Sequence, residues 1–218
     1  VVQAVIARGS QVGSIIIPDE RIQTVMFTGS TETGTRISQT LAERGGDQVP
    51  LIAETGGQNV MIADSSAYTE QLVKDVVQSA FNCAGQRCSA LRVLFVPYHS
   101  AEQIIAKIIG VMQQLVIGDP DNYATDIGPV ISQDAVRQLN EHMADMRLQA
   151  KVLFQTDLPK YLTSTCYFPP TLIELSSLSQ LTKENFGPVL HLIRYQPAEL
   201  EQLIELIMLA GLYHAVSF

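Results

Sequence analysis

Three cysteines punctuate this chain, at positions 83, 88 and 166, and the first two fall five residues apart in NCAGQRCSALRVLFV, residues 82–96. Cys88 lies in a Gly-Gln-Arg-Cys-Ser turn between a helical and an apolar stretch. Backbone amides and nearby cations can stabilise a thiolate in such a turn. The spacing lacks the paired cysteines of a zinc site or a disulfide framework, which leaves a nucleophile or an inert thiol. Cys83 reads as the last turn of the preceding helix, packed with Phe81 and Ala84. Cys166, before Tyr-Phe-Pro-Pro, reads as a packing residue.

Of the four histidines, His99, His142 and His214 occupy ordinary surface or helix positions and His191 sits in an apolar strand. None is spaced for a dyad with Cys88 or for a metal cluster. The base for Cys88 is then a carboxylate acting through water, and Glu54 in AETGGQN, residues 53–59, is the candidate. It ends an apolar strand that runs into a glycine turn, where α/β sheets hold ligands. A turn acid bonded to neighbouring amides has the same local pattern. FTGSTETG, residues 27–34, follows a strand and opens a helix, where small residues let amides approach a phosphate. Ser and Thr also stand there simply as helix caps. Glu184, in KENFGPVLHLIRY, is either a ribose-binding carboxylate or a solvated loop acid.

The elements that must hold these residues alternate. Val2 to Ala7 and Thr24 to Thr28 read as buried strands around a helix at Gln11 to Ile17, a βαβ unit. Thr31 to Arg44 is a helix stopped by Gly45-Gly46, residues 49–54 and 58–63 are strands, and Ser65 to Ala84 is a helix. Residues 91–96 form the strand after the cysteine turn. Ser100 to Val116 is a helix with a capping box from Ser100 and Gln103. The segment 118–129 is a loop, Gln133 to Gln149 a helix and 151–154 a strand. Residues 167–175 form an edge strand on account of their prolines. A further strand at 189–195 and a helix at Ala198 to Leu209 complete an α/β protein built on largely parallel sheets.

A net charge of −8, with lysines and arginines scattered, argues against nucleic acid or an anionic membrane as partner. No apolar run approaches the ~20 residues of a membrane span. The odd cysteine count favours a reducing, cytoplasmic setting. The chain starts at Val1 without a methionine and reads as an excised segment.

In order, FTGSTETG, ETGGQN, GQRCSALR and ENFGPVL resemble the signature series of the NAD(P)-dependent aldehyde dehydrogenase superfamily. Cys88 follows Glu54 by 34 residues, as that pattern expects. The wording of residues 48–96 and of TDIGPVIS is similar to the 1-pyrroline-5-carboxylate (glutamate-semialdehyde) dehydrogenase module of bifunctional bacterial proline-utilisation proteins.

The resemblance implies the family's α/β fold, with residues 1–54 as the end of a Rossmann-type NAD-binding domain and 55–218 as a truncated catalytic domain. It implies that Gly29 and Ser30 hold the cofactor pyrophosphate, that Gly56 lies beside the nicotinamide, and that Glu184 binds the nicotinamide ribose with Phe186 packing nearby. Cys88 is then the nucleophile, Glu54 the general base, and Ser89 a contact to the substrate carboxylate. The implied reaction is oxidation of L-glutamate 5-semialdehyde to glutamate through a cysteine thioester, with NAD, or NADP, as cofactor. No metal is implied. FAD belongs only to a proline dehydrogenase domain of the parent chain, and the intact protein is expected to be a homo-oligomer. The first part of the cofactor domain and an oxyanion-hole asparagine have no counterpart here, and IMLAGLYHAVSF matches poorly, so little or no activity is expected of this chain alone. Two rivals stay open: a CoA-acylating aldehyde dehydrogenase, and a degenerate relative kept as a binding module.

Overall fold

The computed structural model describes residues 2–163, 165–209 and 215–217, the last of these as backbone only; His214 lies outside the described residues. The chain divides into two compact units, Val1–Gly56 and Gly57–Phe218.

In the first unit, helix α1 (Gly9–Ile16) precedes β1 (Val25–Gly29), helix α2 (Thr31–Glu43) and β2 (Leu51–Thr55). β1 and β2 pair in parallel with Gly29 opposite Thr55, so the Gly29-Ser30 turn and the Glu54–Gly56 turn leave the same end of the sheet. Ser30 caps α2 by accepting a hydrogen bond from the Thr33 N–H at 3.2 Å. Gly45 and Gly46 stop the helix at φ of 71° and 75°. The expected strand over Val2 to Ala7 does not form: Val2 and Ile6 are exposed and no described strand pairs with that segment. A parallel strand exists only through its neighbours, and apolar composition alone supplies none. The expected βαβ unit is therefore a helix leading into β1.

The second unit is a six-stranded sheet in the order β5-β6-β7-β4-β3-β8, from β3 (Val60–Ile62), β4 (Val93–Pro97), β5 (Lys151–Gln155), β6 (Thr171–Leu175), β7 (Val189–Tyr195) and β8 (Ala215–Ser217). All neighbours are parallel except β5 against β6. Every residue of β4 is buried, as a central parallel strand requires. β6 lies inside the sheet rather than at its edge, because Pro169 and Pro170 precede it and cost no ladder bond. Helix α3 (Thr69–Phe81) buries Leu72, Val73, Val76, Val77, Ala80 and Phe81, one stripe at helical period. α4 (Ala101–Met112) buries Ile104, Ile105, Ile108 and Met112. The expected capping box at its start is absent: Ser100 sits at φ −108°, ψ −4° and its hydroxyl donates to the Pro97 carbonyl at 3.4 Å. α5 (Gln133–Gln149) is capped by Ser132, and α6 (Leu200–Leu209) follows β7. Among the described residues no helix is long and apolar enough to cross a membrane, and no group of three or more potential ligands is placed to hold a metal ion.

Candidate active site

In the first unit, Gly29, Ser30 and Glu54 are exposed at the shared C-terminal end of β1 and β2, with Gly56 just beyond. The free N–H groups of the first turn of α2, together with its dipole, make this an anion-attracting edge. A cavity of about 550 Å3 between α1, β1 and α2 is lined by Gly9, Val12, Gly13, Ile17, Ile37 and Thr33, among others, and so reaches that first turn.

In the second unit, α3 ends at Phe81, and Cys83 and Ala84 turn left-handed at φ 55° and 52° before Gly85 at φ 65°. Cys83 is therefore not in the helix's last turn, and it is exposed. The helix ends three residues before the expected end at Ala84. Arg87 to Ala90 then form a turn closed by the Ala90 N–H on the Arg87 carbonyl at 3.1 Å, with Cys88 and Ser89 exposed at its apex. The Asn59 side-chain amide fixes that apex from beneath, donating to the carbonyls of Cys88 at 2.6 Å and Ala90 at 2.8 Å. Gln86 ties the other limb, donating to the Cys83 and Pro129 carbonyls at 3.1 Å each and accepting from the Ile131 N–H at 2.7 Å. The sulfur is thus exposed while its backbone is held.

Arg92, at the foot of β4, is 1% exposed. Its Nη1 donates to the carbonyls of Gly85 at 2.7 Å and Gly187 at 3.3 Å, and its Nη2 to the Arg87 carbonyl at 3.2 Å and to Glu184 Oε1 at 3.4 Å. Glu184 Oε2 accepts from the Gly57 N–H at 3.1 Å. Phe186 lies over the guanidinium, 5.0 Å from Cζ to ring centre. Arg92 therefore links the turn that carries Cys88 to Glu184 and Phe186, and nothing among the described residues places the Ser89 side chain against that group. Sequence reasoning passed over both Arg92 and Asn59. The signal was a lone cation opening an otherwise apolar central strand, where burial demands partners.

His142 is buried too, not on the surface, and bonds to His191. Its place three residues after Leu139 and four before Met146 puts it on the apolar face of α5. His191 Nδ1 donates to the Arg92 carbonyl at 3.0 Å, so its Nε2 accepts from His142 Nε2 at 2.9 Å, and His142 Nδ1 accepts from Asn185 Nδ2 at 3.2 Å. Both rings are neutral in this chain of bonds. Burial chiefly pushes the His142 pKa down to about 4, helped by the charge of Lys183, and that of His191 to about 3, helped by His142. Above the unfolded value of about 6.5 neither ring affects stability. As pH falls below it, the unfolded chain binds protons that the folded chain refuses. This unit is expected to lose up to about 1.4 kcal/mol per pH unit per ring between about pH 6.5 and 4. Urea midpoints across that window check it, and a flat profile would refute the buried neutral pair.

Residues 1–207 match the model of the aldehyde dehydrogenase family. The bifunctional protein PutA of Klebsiella aerogenes is 46% identical over 97% of this chain, which covers 17% of that protein. A 1-pyrroline-5-carboxylate dehydrogenase of Geobacillus kaustophilus is 33% identical over 62% of this chain and 27% of that enzyme. A crystal structure of Bradyrhizobium japonicum proline utilization A superposes with a TM-score of 0.88 at 44% identity, covering 93% of this chain and 20% of that one. The chain thus spans about a fifth or less of the length of these bifunctional relatives. Since the family model takes in both units and nearly every residue, the chain belongs to the aldehyde dehydrogenase family.

Proposed function

We propose that this chain carries the nucleophile and the base of an NAD-dependent oxidation of L-glutamate 5-semialdehyde, the open form of 1-pyrroline-5-carboxylate, to glutamate. The observation that carries the reading is an exposed Cys88 on a turn whose carbonyls Asn59 and Arg92 hold inward. The Cys88 thiolate attacks the aldehyde carbon, and the Cys88 N–H, which has no acceptor among the described residues, faces the oxygen that becomes negative. Loss of hydride leaves an acyl group on the sulfur. Glu54 takes a proton from the water that hydrolyses this thioester, releasing the carboxylate and restoring the thiol. Ser89, beside the nucleophile, binds the substrate carboxylate.

The residues present suit a nicotinamide dinucleotide. The Gly29-Ser30 turn and the start of α2 offer amides for the pyrophosphate, the neighbouring cavity has room and apolar lining for a flat base, and Gly56, Glu184 and Phe186 serve the nicotinamide end. When bound, the dinucleotide supplies the hydride acceptor. The bifunctional relatives support a proline dehydrogenase, with its own FAD, as the source of 1-pyrroline-5-carboxylate.

Iodoacetamide mapping by mass spectrometry tests the nucleophile. Cys83 and Cys88 are both exposed, so access alone predicts similar rates. Activation predicts that Cys88 is alkylated at pH 7 about tenfold faster than Cys83. Equal rates would remove Cys88 from the role.

A further inference from the structure

We propose that Arg92 is the positioning residue of this site: its guanidinium fastens the turn bearing Cys88 to the turn bearing Glu184 and gives the Cys88 turn a fixed positive charge. This rests on the reading of Cys88 as nucleophile.

All four acceptors of the guanidinium belong to those two turns, Gly85 and Arg87 on one side and Glu184 and Gly187 on the other. The four strand residues that follow, Val93 to Val96, are buried and apolar, so a methionine or leucine at position 92 would extend the core. An arginine there carries a desolvation cost that a hydrophobe avoids. The cost extends to Nε, which is buried without a hydrogen-bond partner among the described residues while both Nη atoms serve the turns. Such an arrangement places charge and register before stability.

The anchor itself is fixed. The Arg92 N–H donates to the Asn59 carbonyl at 3.0 Å, and its own carbonyl accepts from the His191 N–H at 2.9 Å and from His191 Nδ1. The histidine chain then returns through His142 to Asn185, next to Glu184. Arg92 thus reaches the carboxylate turn twice, by side chain and through β7 and α5. Burial lowers its pKa, opposed by the charge and hydrogen bond of Glu184 and then by the charge of Cys88, which places the cation within electrostatic reach of a Cys88 thiolate.

The test follows iodoacetamide alkylation of each cysteine against pH in the wild-type chain, in Arg92→Met, which keeps volume without charge, and in Arg92→Lys, which keeps charge without the fork. Circular dichroism confirms the folded state. Arg92→Met is expected to slow Cys88 alkylation at pH 7 about tenfold and to move its pH midpoint up by about one unit, with the Cys166 rate unchanged. Arg92→Lys is expected to give a loss of about threefold. A folded Arg92→Met with wild-type Cys88 kinetics overturns the inference; should only the lysine variant fold, wild-type kinetics there do the same. Failure of both to fold assigns Arg92 to stability alone and also overturns it. If wild-type Cys88 reacts no faster than Cys83, the nucleophile reading fails instead.

Discussion

Gly85→Ala is expected to cost the second unit about 4 kcal/mol, from a strained backbone plus a steric clash that has no side chain to relieve it. Gly85 sits at φ 65°, and a Cβ there would lie 2.1 Å from the Gly187 carbonyl oxygen, 2.6 Å from its carbon and 2.9 Å from the Ala80 oxygen. These are backbone atoms already engaged by Arg92 and by the end of α3, so relief means moving a turn. Gly187→Ala is the informative contrast. The three atoms nearest its Cβ would all be Leu139 side-chain atoms, the closest at 2.5 Å, and a leucine can change rotamer; about 1–2 kcal/mol is expected. Gly45→Ala meets nothing within 4 Å at φ 71° and is expected to cost the first unit about 1 kcal/mol. Urea denaturation of the three variants gives the order directly. A Gly85→Ala chain as stable as Gly187→Ala would mean that the two turns do not press on each other as described.

That contact explains why glycines recur where the cysteine turn and the carboxylate turn meet. Each brings a backbone carbonyl close enough for one guanidinium to bridge, and a Cβ on Gly85 would part them. The site in this unit is thus backbone held by buried side chains, with few direct contacts between the reactive groups themselves.

Legibility in the sequence followed from how local each cause is. α5 and β7 were readable to the residue, because a Ser cap and an unbroken apolar run are local signals. The Val2 to Ala7 segment misled because a strand needs a partner, and partners are non-local. Pro169 and Pro170 suggested an edge, but their effect depends on whether they fall inside the strand or before it. For the site, the motifs single out Cys88 and Glu184 as candidates but say nothing of Arg92, Asn59 and His142. Their work is to satisfy buried polar groups 30 to 100 residues away, which no spacing within one motif records. Cys83 reads as a packed helical thiol in the sequence because composition does not reveal two left-handed residues in succession.

Cys88→Ser is expected to abolish aldehyde oxidation, by at least about a thousandfold, while shifting stability by no more than about 0.5 kcal/mol. The stability half follows from the structure: the side chain is exposed, and Asn59 grips the Cys88 carbonyl, which every substitution keeps. The activity half follows from chemistry, since a serine hydroxyl stays protonated near neutral pH without a strong base beside it. Cys83→Ser and Cys166→Ser should leave activity within about twofold. The assay is best run on the chain in place of the matched segment of the Klebsiella protein, which supplies the remaining length of a complete relative. In that setting Glu54→Gln separates the two chemical steps. It spares the attack of the thiolate but removes the base for hydrolysis, so an acyl adduct should accumulate on the Cys88 peptide after one turnover. A Glu54→Gln protein that turns over freely, or an adduct on another cysteine, would refute the assigned pair. An adduct on Cys88 that added CoA releases faster than water does would redirect the reading to acyl transfer.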